Sequence, residues 1–148
     1  LKRKLKNLLK RSLKKVNLID RIKHSEGFRP TVYKCTRNYD TIGYGFAIKD
    51  LVLDEDIAEK ILIRKLNDLM KAINKKFNWV DGLPKEAQDV VIEMCYQLGV
   101  NGFSKFKKSI SYLKNHNFKA CSSEILRSLW ADQTPSRAKE LSNILFKL

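Results

Sequence analysis

Glu26-Gly27-Phe28-Arg29-Pro30-Thr31-Val32-Tyr33-Lys34-Cys35-Thr36-Arg37-Asn38-Tyr39-Asp40-Thr41-Ile42-Gly43-Tyr44-Gly45 is the stretch that decides the fold. A helical pattern runs up to Glu26, and Gly27 is a natural stop for it. From Phe28 to Thr36 the chain turns extended after Pro30, Arg37-Asn38-Tyr39-Asp40 supplies turn residues, and a second extended run covers Thr41 to Ala47. The reading is a β-hairpin with a short third strand around Ile48 to Leu53. Eight residues separate Glu26 from Cys35 and five separate Cys35 from Thr41, so a carboxylate, a thiol and a hydroxyl fall around one helix end and one hairpin.

Upstream, Asn17 reads as the cap of the helix that ends at Glu26, with Leu18, Ile19 and Ile22 as its inward face. Residues 1–16 carry eight Lys or Arg and no acid, and Leu1, Leu5, Leu8, Leu9, Leu13 and Val16 share one helical face. Such a basic amphipathic helix either seeks an anionic membrane, outer-membrane or wall surface, or docks its leucines on the domain behind it. The chain opens on leucine rather than methionine, which leaves room for an upstream secretory or anchoring piece.

Downstream, Asp54 reads as the start of a long helix through about Phe77, with Ile57, Ala58, Ile61, Leu62, Leu66, Leu69, Met70 and Ile73 at helical spacing. Asp81-Gly82-Leu83-Pro84 breaks it and starts the next helix, whose stripe Ala87, Val90, Val91, Met94, Cys95 and Leu98 ends at Gly99. Three shorter helical patterns follow: Ser104 to Asn115, Phe118 to Trp130, and a last one opened by Thr134-Pro135. The expected organisation is a basic helix over 1–16 and one domain over 17–148. Within that domain, 17–54 forms a helix and β-hairpin lobe, 55–78 a connecting helix and 79–148 a helical lobe. The fold class is α+β, mainly α.

The 148 residues suffice for one compact domain, and their 43% apolar content fits a soluble globular protein. A formal charge of +14 predicts attraction to a polyanion, whether nucleic acid, anionic lipid or acidic cell wall. No nucleic-acid recognition motif accompanies that charge. Cys35, Cys95 and Cys121 form no CxxC pair and the two histidines stand alone, so neither a disulfide framework nor a metal site is expected. No apolar run is long enough to span a bilayer.

Cleaving a glycosidic bond requires a proton donor for the leaving oxygen and a group that places water or a nucleophile on the opposite face of the sugar. Glu26 suits the first task, because a helix C-terminus and partial burial both favour the protonated acid. By spacing alone it reads rather as an exposed helix-end glutamate. Cys35 and Thr41 flank the turn and can share a water, although a thiol with an ordinary pKa near 8.5 is a poor base unless its surroundings shift it. Taken singly, they also read as ordinary strand residues.

The Glu-eight-Cys-five-Thr spacing joins three further motifs: Glu26-Gly27-Phe28-Arg29, Thr41-Ile42-Gly43-Tyr44-Gly45 and the run from Trp130 through Ala138. With Met94-Cys95-Tyr96-Gln97-Leu98-Gly99, they resemble the phage-type lysozymes, the endolysins of glycoside hydrolase family 24, from about Asn17 to the C-terminus. The resemblance implies a lysozyme-like fold and a muramidase that cleaves the β-1,4 bond between N-acetylmuramic acid and N-acetylglucosamine. It implies inversion, Glu26 as general acid, Cys35 where the family has Asp or Cys, and Thr41 helping to place water. Gln97 and Arg137 match its cleft positions, with Arg137 suited to pair with Glu26 and favour its charged form. Trp130 reads as core rather than as a sugar platform. Phe46 stands where the family commonly has His.

The implied partner is bacterial peptidoglycan, met by a monomer without cofactor or metal and without specific nucleic-acid binding. The implied route runs from host cytoplasm by release or export to the periplasm or wall. Alternatives are a lytic transglycosylase and a non-catalytic basic wall- or membrane-binding protein.

Overall fold

The computed structural model describes residues 17–148, so the basic helix read over 1–16 lies outside the described residues. The chain divides into two compact units with the boundary between Asp54 and Glu55. In the first unit, helix α1 (17–26) leads through Gly27 into strand β1 (Arg29–Lys34), followed by β2 (Asp40–Gly43) and β3 (Phe46–Ala47). Asn17 is already helical rather than capping. The strands form one antiparallel sheet in the order β1-β2-β3, with Tyr33 opposite Thr41 and Thr41 opposite Ala47.

The β1–β2 connection is a tight loop. The Asn38 N–H donates to the Cys35 carbonyl at 2.8 Å, and the Cys35 N–H donates to the Tyr39 carbonyl at 3.0 Å. Asn38 takes the left-handed position, φ 63°, which asparagine tolerates better than most residues. The sequence reading of Thr41 to Ala47 as one strand is corrected here. Gly43 and Gly45 both hold positive φ and fold the run back on itself, so the third strand is Phe46–Ala47. The expected strand at Ile48 to Leu53 is instead a 3-10 turn, Ile48–Asp50, followed by irregular chain.

Leu18, Ile19 and Ile22, read as an inward face, are about half exposed, and among residues 17–54 only Thr41 is buried. The described part of the first unit, residues 17–54, thus closes no core of its own.

The second unit is helical: α2 (Glu55–Lys76), a 3-10 turn (Asn78–Gly82), α3 (Lys85–Phe103), α4 (Lys107–Lys114), α5 (Phe118–Ile125), α6 (Leu129–Gln133) and α7 (Pro135–Phe146). Its core is the α3 stripe, with Ala87, Val90, Val91, Met94 and Cys95 almost fully buried. Each of the larger side chains contributes roughly 1.5–3 kcal/mol through burial. Only the C-terminal half of α2 joins them: Ile73 is buried, whereas Ile57, Ile61, Leu62 and Met70 from the same sequence stripe stay exposed.

Gly99 interrupts α3 with φ 73°, ψ 159°, and the helical hydrogen bonding resumes to Phe103. The single pattern read over Phe118 to Trp130 is two helices, because the Ser128 hydroxyl accepts the Ala131 N–H and caps a new start at Leu129. Pro135 opens α7 as expected, but Thr134 does not cap it: its hydroxyl donates to the Trp130 carbonyl at 2.9 Å. A buried bond from the Ser142 hydroxyl to the Ser122 carbonyl, 3.0 Å, pins α7 to α5.

Candidate active site

Glu26 is the last residue of α1, and the turn at Gly27 delivers its side chain to the β2–β3 turn. A Cβ built on Gly45 would lie 2.5 Å from Glu26 Oε2 and 3.2 Å from its Cδ, so the carboxylate rests directly on the bare Gly45 α-carbon. Gly45 holds φ 79°, a left-handed conformation that glycine adopts without a Cβ penalty. One residue thus supplies both the turn and the space for the acid. Sequence reading assigned Gly45 to a motif without that role. The expectation of partial burial is corrected, since Glu26 is exposed.

An aromatic wall fixes this turn. The Tyr44 ring lies 5.3 Å from Phe28 and 6.4 Å from Phe46, and Lys23 of α1 places its Nζ 5.7 Å from the Tyr44 ring centre. The Cδ2–Cε2 edge of the Phe46 ring packs on Gly43, where a Cβ would approach it to 2.9 Å. Phe46 therefore packs as a supporting ring and brings no titratable group to the turn.

Cys35 lies at the other end of the β1–β2 ladder, half-buried beside Thr41. Its thiol is held below the ordinary thiol range, first by the Tyr39 backbone N–H, then by the Arg37 N–H, then by the Thr41 hydroxyl, with slight desolvation opposing. Thr41 Oγ1 also donates to the Tyr39 carbonyl at 3.0 Å. One hydroxyl proton cannot serve both acceptors, so the lowering rests mainly on the two amide groups. The environment thus supplies what a water-activating thiol needs: hydrogen-bond donors aimed at its anionic form.

All three cysteines are free thiols. Cys95 and Cys121, buried in the helical core, are pushed up to about 12 by desolvation and stay protonated. Among the described residues no group of three or more His, Cys, Asp and Glu is placed to hold a metal ion. Likewise no helix among them is long and apolar enough to cross a membrane.

In the helical unit, the structure brings Gln97 and Arg137 together. The Gln97 side-chain oxygen accepts the Trp130 indole N–H at 3.0 Å and the Arg137 guanidinium at 3.4 Å. Trp130 is buried, as its reading as core implied, yet its N–H fixes which way the exposed Gln97 faces. That second duty was not read from the sequence. The signal was available, since a buried indole N–H requires an acceptor.

The architecture is a small antiparallel sheet with a mainly helical remainder, the lysozyme-like α+β arrangement. The family described as Phage lysozyme matches residues 23–143. "Probable T4-type lysozyme 1" of Dictyostelium discoideum is 25% identical over 158 aligned positions, covering 85% of this chain and 91% of the relative. "Probable T4-type lysozyme 2" of the same organism is 26% identical over 161, covering 86% and 92%. The chain belongs to the phage lysozyme family. It is a lysozyme, a muramidase-type hydrolase of peptidoglycan.

Proposed function

We propose that this lysozyme hydrolyses the β-1,4 bond between N-acetylmuramic acid and N-acetylglucosamine, with Glu26 as general acid and Cys35 and Thr41 placing the attacking water. The observation that carries this reading is the carboxylate seated on Gly45, in the β2–β3 turn of the same three-stranded sheet whose β1–β2 loop holds an amide-stabilised thiol. Inversion needs its two groups about 6.5–9.5 Å apart so that water fits between sugar and base.

Glu26 donates its proton to the leaving glycosidic oxygen while water attacks the anomeric carbon from the opposite face. The Thr41 oxygen and the Cys35 sulfur accept hydrogen bonds from that water, and the thiolate form draws off its proton. Gln97 and Arg137 bind the glycan, Gln97 through the amide that Trp130 orients. The enzyme works as a monomer at the bacterial wall.

Mass spectrometry of digested peptidoglycan tests the reaction. Hydrolysis gives a reducing N-acetylmuramic acid end, whereas a transglycosylase gives an anhydro product lighter by one water. An anhydro product released by this protein would overturn the hydrolytic assignment.

A further inference from the structure

The positive charge is not spread evenly. Residues 17–98 carry thirteen Lys and Arg against thirteen Asp and Glu, whereas residues 99–148 carry nine against three. Within that basic segment a surface hollow of about 360 Å³ opens between the start of α4 and the end of α5. Lys105, Lys107, Lys108 and Arg127 line it, over a half-buried Phe106. One carboxylate, Glu124, shares the wall and forms an ion pair with Arg127 at 3.7 Å.

The three lysines form no ion pair with a carboxylate among the described residues. Lys107, Lys108 and Ser109, the first residues of α4, line the same hollow, and Phe106 at the N-cap gives that first turn no side-chain acceptor. Four cations and a helix N-terminus against one carboxylate leave a concave site with unsatisfied positive charge.

We propose that this hollow binds a single phosphodiester chain of the cell envelope, a polyol-phosphate wall polymer, and holds the enzyme beside its glycan substrate. Charge selects the ligand class: spaced phosphates on a flexible chain meet the cations that line the hollow. Arg127 and the lysines grip successive phosphates, and Phe106 packs under the polyol carbons. The inference rests on the peptidoglycan reading only for the choice of polymer, since a wall polymer attached to the substrate raises the enzyme's effective concentration there.

The test is titration calorimetry with purified poly(glycerol phosphate) at two salt concentrations. It compares the parent, the triple variant Lys107→Gln/Lys108→Gln/Arg127→Gln, and the charge-matched control Lys65→Gln/Lys71→Gln/Lys75→Gln on α2. All six side chains are exposed, and circular dichroism checks that each protein is folded. The expected result is at least tenfold weaker binding by the hollow variant, with its log–log salt slope reduced by about two, and less than a threefold loss in the control. Equal losses in both variants would overturn the site, as would a parent that fails to bind the polymer at low salt. So would tighter binding of duplex DNA or anionic vesicles that the hollow variant weakens equally.

Hydrolysis of polymer-free peptidoglycan is measured in parallel. An unchanged rate in the hollow variant supports the proposal, and a loss there assigns the hollow to the glycan itself and overturns it. A parent that leaves polymer-free peptidoglycan intact would strike the enzymatic reading while leaving the calorimetric result to stand by itself.

Discussion

Gly45→Ala separates the architecture of the acid from the stability of the fold. The added Cβ would sit 2.5 Å from Glu26 Oε2, and ordinary contact begins at 3.4 Å, so the carboxylate must retreat by about 0.9 Å. The φ of 79° adds backbone strain for any L side chain, about 1–3 kcal/mol. That strain lowers Tm by roughly 2–4 °C per kcal/mol in a chain of this size. Displacing a reacting group by about 1 Å can cost on the order of 10²-fold in rate.

Gly27→Ala is the matched control, because Gly27 has φ 69° and nothing within 4 Å of its Cβ position. Both variants should lose comparable stability, measured by thermal melting. Gly45→Ala should in addition clear a peptidoglycan suspension about 10²-fold more slowly per folded molecule, through kcat rather than KM. Equal specific activity in the two variants would refute the idea that the missing side chain makes room for the acid.

Other expectations follow from the same structure. Native protein treated with iodoacetamide should alkylate at Cys35 alone, with a midpoint in the rate–pH profile below the ordinary thiol value; lowering its pKa enlarges the thiolate fraction at neutral pH. Peptide mapping checks this, and Cys95 and Cys121 should react only after unfolding. Gln97→Ala leaves the buried Trp130 N–H without its acceptor, so denaturant titration should show a loss of about 1–3 kcal/mol and kinetics a raised KM. Met94→Ala, at 1% exposure in the α3 core, should cost about 2–5 kcal/mol with the pH profile of activity unchanged.

What the sequence disclosed followed from local physics. The α3 stripe and the α2 span were legible because 3.6-residue periodicity over several turns has few other solutions. The β1–β2 turn was legible because Arg37-Asn38-Tyr39-Asp40 carries turn chemistry. The second hairpin was missed because Gly43 and Gly45 flank a tyrosine in an otherwise strand-like run, and their positive φ is a property of the folded backbone. The split at Ser128 was missed because a serine within apolar periodicity does not announce whether it caps or is carried along.

At the site, residue types were readable but their surroundings were not. Cys35 looked like a weak base by its ordinary pKa, and only the loop geometry shows amide groups of Tyr39 and Arg37 turned toward it. Trp130 was readable as core from its type, yet its hydrogen bond to Gln97 spans 33 residues and depends on tertiary packing.

The central claim is that Glu26 donates the proton that cleaves the glycan. The most direct measurement is the initial rate of reducing-end release from purified peptidoglycan by parent and Glu26→Gln proteins at equal folded concentration. Glutamine keeps the shape and removes the proton donor, so the rate should fall by 10²-fold or more, roughly the contribution of general acid catalysis, with glycan affinity retained. A Glu26→Gln enzyme that releases reducing ends as fast as the parent would contradict the account.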